Sequence, residues 1–91
     1  MPTIHLLIKG KVQGVFFRVA AKEKADELGV TGWVKNTTDG SVEATASGTG
    51  AQLDTFIQWC KRGSKRAEVA EVIVSKIKDA HFNYFEVIRK S

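Results

Sequence analysis

The chain opens on a period-two pattern. Ile4, Leu6 and Ile8 fall on one face and Thr3, His5, Leu7 and Lys9 on the other, which predicts a strand over Ile4–Lys9 with one buried side. The period then becomes helical. Phe17, Ala21, Ala25 and Leu28 make one apolar stripe, and Gly29 stands where a helix commonly stops in a left-handed residue. Thr31–Asn36 reads as a second strand, and Thr37-Thr38-Asp39-Gly40 as a turn whose Asp-Gly pair points to a hairpin. The third strand sets Val42, Ala44 and Ala46 against Ser41, Glu43, Thr45 and Ser47. Gly48-Thr49-Gly50 opens a second helix with Leu53, Phe56, Ile57 and Cys60 as its stripe, and Gly63 ends it. Glu68–Ile77 predicts a fourth strand with Val69, Val72 and Val74 as core positions. No regular strand puts all three on one face, so a bulge is required. Phe85-Glu86-Val87-Ile88-Arg89 reads as a last strand.

Strand, helix, strand, strand, helix, strand, with a terminal strand added, is the order of a split βαβ unit. The expected fold class is α+β: a ferredoxin-like sandwich, with two helices on one face of a mixed sheet. No repeat, low-complexity tract or linker interrupts the chain, so residues 1–91 are expected to form a single domain. A crossover helix makes the first two strands parallel, with their C-terminal ends at one edge of the sheet. The loop leaving the first strand should therefore meet Asn36, which ends the second.

That loop carries the strongest chemical signal. In Gly10-Lys11-Val12-Gln13-Gly14-Val15-Phe16-Phe17-Arg18 two glycines frame a short turn between strand and helix, and an arginine sits where the helix begins. Amides of such a turn and of a helix N-terminus converge readily on an anion. Arg18 adds a fixed charge with a planar donor fork. A surface arginine is commonly just solvated. A cation at a helix N-terminus, however, is unfavourable by about 0.3–1 kcal/mol unless an anion offsets it. Asn36 by its type and position alone reads as a turn-starting asparagine. Val12, Val15 and Phe17 read as loop anchors and core, and Trp33 as a packing residue on its strand.

Composition adds little. A hydrophobic fraction of 43% and a charged fraction of 26% are ordinary, and a net charge of +4 suits a small anion, a nucleic acid or nothing specific. No apolar run approaches a membrane span, no signal peptide is apparent at the N-terminus, and a lone cysteine suits a reducing cytoplasm.

Gly10-x-Val12-Gln13-Gly14-Val15-x-Phe17-Arg18 resembles the first signature of the acylphosphatases, and Gly32-Trp33-Val34-Lys35-Asn36-x-x-x-Gly40-x-Val42 resembles their second. Order, spacing and chain length agree, and the likeness thins only after Gly63, where many members carry a proline and this chain reads Ser64-Lys65-Arg66-Ala67. The resemblance implies hydrolysis of a carboxyl-phosphate anhydride. Loop residues Val12, Gln13, Gly14, Val15, Phe16 and Phe17 would hold the phosphoryl group with Arg18. Asn36 would orient the attacking water, with Thr37 bonding to it from behind. It further implies no metal or cofactor, a small acyl phosphate as substrate, inorganic phosphate as product, and a cytoplasmic protein for which nothing demands more than a monomer.

Rival readings are weaker. Cys60 and Arg66 have the cysteine-x5-arginine spacing of thiol phosphatases, but Cys60 lies on the apolar stripe near a helix C-terminus, where the dipole disfavours a thiolate. The Gly10–Gly14 loop lacks the spacing and the Lys-Ser/Thr of a nucleotide P-loop. RNA-recognition modules share the element order but stack bases on aromatics of the third strand, and Ser41–Ser47 holds none. Nucleic acid is therefore not expected as a partner. A non-catalytic anion-binding domain is the remaining alternative.

Overall fold

The computed structural model describes residues 1–89; residues 90–91 of the expected single domain lie outside it. Seven elements follow in order: β1 (Thr3–Lys11), α1 (Phe17–Leu28), β2 (Thr31–Asn36), β3 (Val42–Ser47), α2 (Gly50–Arg62), β4 (Glu68–Ile77) and β5 (Phe85–Ile88). The strands form one sheet in the order β4-β1-β3-β2-β5. Neighbours are antiparallel except β2 and β5, which run parallel. Because β3 opposes both β1 and β2, those two strands point the same way, and their C-terminal ends share one edge as the crossover requires. The split βαβ order is the ferredoxin-like arrangement expected from the pattern.

One face of the sheet carries both helices. Ile4, Leu6, Ile8, Val34, Val42, Ala44 and Ala46 from the strands join Phe17, Ala21 and Ala25 of α1 and Leu53, Phe56 and Cys60 of α2 in a single buried core. Aromatic contacts knit the layers: Phe56 meets Phe85 edge-on at 5.7 Å between ring centres, and Trp59 leans on Phe17 at 5.3 Å. Both helix ends carry local signals. Gly29 ends α1 in the left-handed region, and Thr49 with Gln52 forms a reciprocal capping box at the start of α2. Gln52 also donates to Leu28 O at 2.9 Å, tying the start of α2 to the end of α1.

On the opposite face the connection after β4 crosses toward β5. It buries Thr3, whose Oγ1 lies 2.7 Å from Ser47 Oγ and accepts from Ala80 N–H at 2.9 Å. Lys35 Nζ stands over the Trp33 ring, 5.4 Å from its centre.

Two expectations need correcting. Gly10 does not frame the turn: β1 continues to Lys11, and Gly10 pairs with Val69 beside the bulge, where β4 carries the extra residue Ala70. A Cβ on Gly10 would stand 2.2 Å from Glu68 O, and its φ is +129°. This glycine therefore serves close strand approach rather than a turn. The predicted bulge is present, but Val74 is not core; it is 39% exposed. β4 lies at the sheet edge, paired with β1 alone; α2 packs against it, and a Cβ on Gly63 would come 3.0 Å from Val69 Cγ2.

Among the described residues no helix is long and apolar enough to cross a membrane. Gly10→Ala should lower stability by about 2 kcal/mol or more, read from the urea midpoint. Gly14→Ala, where a Cβ meets nothing within 4 Å, should cost only about 1 kcal/mol of left-handed strain. Equal losses would contradict the role given to Gly10. Burial pushes the Cys60 thiol up to about 12 from 9.0, so on raising the pH the unfolded chain releases its proton first. Stability should decline from about pH 9 upward, and Cys60→Ala should flatten that decline in denaturation midpoints measured across pH.

Candidate active site

The site begins as a defect in helix capping. α1 starts at Phe17, and its N-cap Phe16 has φ 60° and ψ 25°, offers no capping side chain, and precedes a first turn without an acid. The first intrahelical bond runs from Ala20 N–H to Phe16 O at 3.1 Å. Among the described residues the amides of Gly14 through Val19 find no acceptor. A helix N-terminus normally satisfies such groups with a side-chain oxygen. Here they stand open beside Arg18.

Buried side chains hold the loop from beneath. Val12, Val15 and Phe17 are buried, as anchors should be, while Gly14 takes φ +73° at the bend. Support also arrives from the segment after α2. Ser64 Oγ donates to Val15 O at 2.8 Å, and a Cβ on Gly63 would sit 3.1 Å from Phe17 Cε2. The segment after α2 therefore braces the cradle.

Asn36 arrives from β2. Register places it opposite Val42, on the helix-bearing face with Val34, at the edge where β1 gives way to the loop. Its Oδ1 is buried with no hydrogen-bond partner among the described residues. An unpaired buried acceptor costs about 1–3 kcal/mol, and this one lies beside a cleft. Arg18 and Asn36 both line that cleft, of about 390 Å³, together with Val12, Gly14 and Phe16.

Gln13 joins the two halves. Its side-chain amide donates to Thr37 O at 2.8 Å and to Ser41 O at 2.7 Å, fastening the loop to the turn that follows Asn36. Its side chain thus positions the loop. Thr37 orders the same turn: its hydroxyl donates to the Asp39 carboxylate and accepts from Ser41 N–H at 3.1 Å. Hydrogen bonds from the Thr37 hydroxyl and from Ser41 hold Asp39 below the usual carboxylate range. Among the described residues the hydrogen bonds of the Thr37 hydroxyl go to Asp39 and Ser41 and not to Asn36.

A second cation enters from the chain's far end. β5 runs parallel to β2 with Ile88 opposite Lys35, so Arg89 reaches the level of Asn36, and it lines the cleft. Arg18 Nη1 donates to Ile88 O at 3.3 Å, linking the two arginines' segments. Arg89 read only as the end of a strand in sequence. A terminal strand laid parallel on the outer edge of β2 is the signal that would have placed it. Among the described residues no three His, Cys, Asp or Glu side chains cluster as metal ligands.

The comparisons agree with this geometry. The acylphosphatase family model matches residues 4–87. An acylphosphatase of Bordetella parapertussis is 51% identical over 72 residues, 79% of this chain and 77% of that one. One from Methylococcus capsulatus is 42% identical over 98% of both chains. The crystal structure of acylphosphatase from Bacillus subtilis superposes with a TM-score of 0.93 at 32% identity, covering 97% of this chain and 99% of that one. With both signatures converging on one cleft and the family matched over nearly the whole length, this chain belongs to the acylphosphatases.

Proposed function

We propose that the cleft hydrolyses small acyl phosphates to a carboxylate and inorganic phosphate by direct attack of water on phosphorus. The observation that carries this reading is the pairing, across one cleft, of open helix amides and Arg18 with an Asn36 oxygen that is buried and unsatisfied. The loop amides and the guanidinium bind the phosphoryl oxygens, where negative charge is held throughout the reaction. Asn36 offers an acceptor for one hydrogen of the water and an amide donor for the substrate.

As the bond from water oxygen to phosphorus forms, the phosphorus bond to the acyl oxygen breaks, and its electron pair leaves on the carboxylate. The proton of the attacking water passes to the phosphate product or to solvent. A carboxylate is a good leaving group, so positioning and charge stabilisation suffice and no side-chain nucleophile enters. Cys60, on the core face of α2 with its thiol pushed up to about 12, stands apart from this chemistry. We place the reaction in a reducing cytoplasm, performed by a monomer without nucleic acid.

Arg18→Ala should lower kcat/KM for benzoyl phosphate by about 10²-fold or more, with an unchanged circular dichroism spectrum. Turnover of the parent should persist in EDTA. A folded parent protein with no turnover would leave only an anion-binding domain. In Asn36→Ala the rate should collapse while inorganic phosphate remains a competitive ligand with a similar inhibition constant. Loss of phosphate binding in that variant would overturn the water-orienting role.

A further inference from the structure

Phe16 is the least expected residue in the cradle. It is 73% exposed and holds a left-handed backbone that glycine would adopt without strain. Its ring anchors nothing in the core. Absence of a capping oxygen explains why the position is not Ser, Asp or Asn: each would draw the open amides to itself. It does not explain a phenyl group in water. One helical turn on, Val19 is also exposed, at 40%, and both residues line the cleft that holds Arg18 and Asn36.

The surroundings of Arg18 are two-sided. Gln13, Thr37 and Thr38 form a polar side with Arg18, Asn36 and Arg89. Val12, Phe16, Phe17 and Val19 form an apolar one, which Arg18, Asn36 and Arg89 also border. Phe16 and Val19 are also the near wall of an adjoining groove of about 310 Å³, which runs over Val15 and Ala20 to the loop at Ser64 and is bordered by Glu23, Lys65 and Arg66. The apolar ridge therefore continues away from the cradle.

An acyl phosphate has matching halves. With its phosphoryl group on the amides and Arg18, the carbon substituent must leave the cradle along one side, and only the apolar side gains by being covered. We propose that Phe16 and Val19 form the acyl subsite. The substrates it selects are acyl phosphates with an apolar substituent of several carbons, aliphatic or aromatic, in preference to acetyl or carbamoyl phosphate. This rests on the hydrolase reading above and adds the substrate class.

The test compares kcat/KM for hexanoyl and acetyl phosphate. Their carboxylates are leaving groups of nearly equal basicity, so a difference between them reports contact with the chain and not intrinsic reactivity. The parent protein should favour hexanoyl phosphate by about tenfold, chiefly through KM. In Phe16→Gly, which suits the left-handed backbone and offers no capping oxygen, the ratio should fall to within about threefold, and Phe16→Tyr should restore it. Val19→Ser should lower the ratio independently. Equal kcat/KM values in the parent, or a ratio untouched by Phe16→Gly, would overturn the subsite while leaving the hydrolase reading intact. Failure of the folded parent to hydrolyse either compound would strike that reading itself, and the subsite with it.

Discussion

The N-terminus of α1 carries open amides, an arginine in its first turn and no acid, an arrangement that an isolated helix would resist. A side-chain cap would relieve it by about 1 kcal/mol, and Phe16 provides none. The fold bears this cost because the helix is secured elsewhere: by Phe17, Ala21 and Ala25 in the core, by Gly29 at its end, and by Gln52 across to Leu28. A local free-energy deficit is thereby kept available to an anionic ligand, which can satisfy the amides and the guanidinium together.

The deficit becomes a site only because a second unsatisfied group is brought to it. Asn36 Oδ1 lies at the end of β2, and Gln13 spans from the loop to the two carbonyls of the turn beyond. These bonds make the separation of loop and asparagine a property of the sheet, since β1 and β2 are both registered on β3. Ser64 adds a brace from the other side of the loop. Preorganisation of this kind is what phosphoryl transfer asks of a protein, because positioning and charge carry most of the catalysis.

Membership of the acylphosphatases follows from the chain's similarity along almost its full length, and the structure explains why the two signatures are separated as they are. Each ends a parallel strand at the same sheet edge. The conformationally costly features cluster at that edge: Phe16 in the left-handed region and the orphaned oxygen of Asn36. Proteins tend to hold strain where function requires it. The helices and the centre of the sheet show none of it.

Hydrophobic periodicity by itself determined the seven elements, their order, both helix faces and the need for a bulge in β4, because each of these is settled by neighbours in sequence and by burial on one side. Arg18 and the loop were legible for the same reason: their chemistry is local. Asn36 was singled out only through the family resemblance, since an asparagine opening a turn is common. What tertiary structure alone decided depends on which segments end up side by side. Gly10 had to be a strand glycine because β4 passes within 2.2 Å of where its Cβ would be. Val74 stayed exposed because β4 is an edge strand, paired with β1 alone. Arg89 entered the cleft because β5 lies parallel on β2, a pairing between segments far apart in the chain. Periodicity reports which face of a segment is buried and is silent about what buries it.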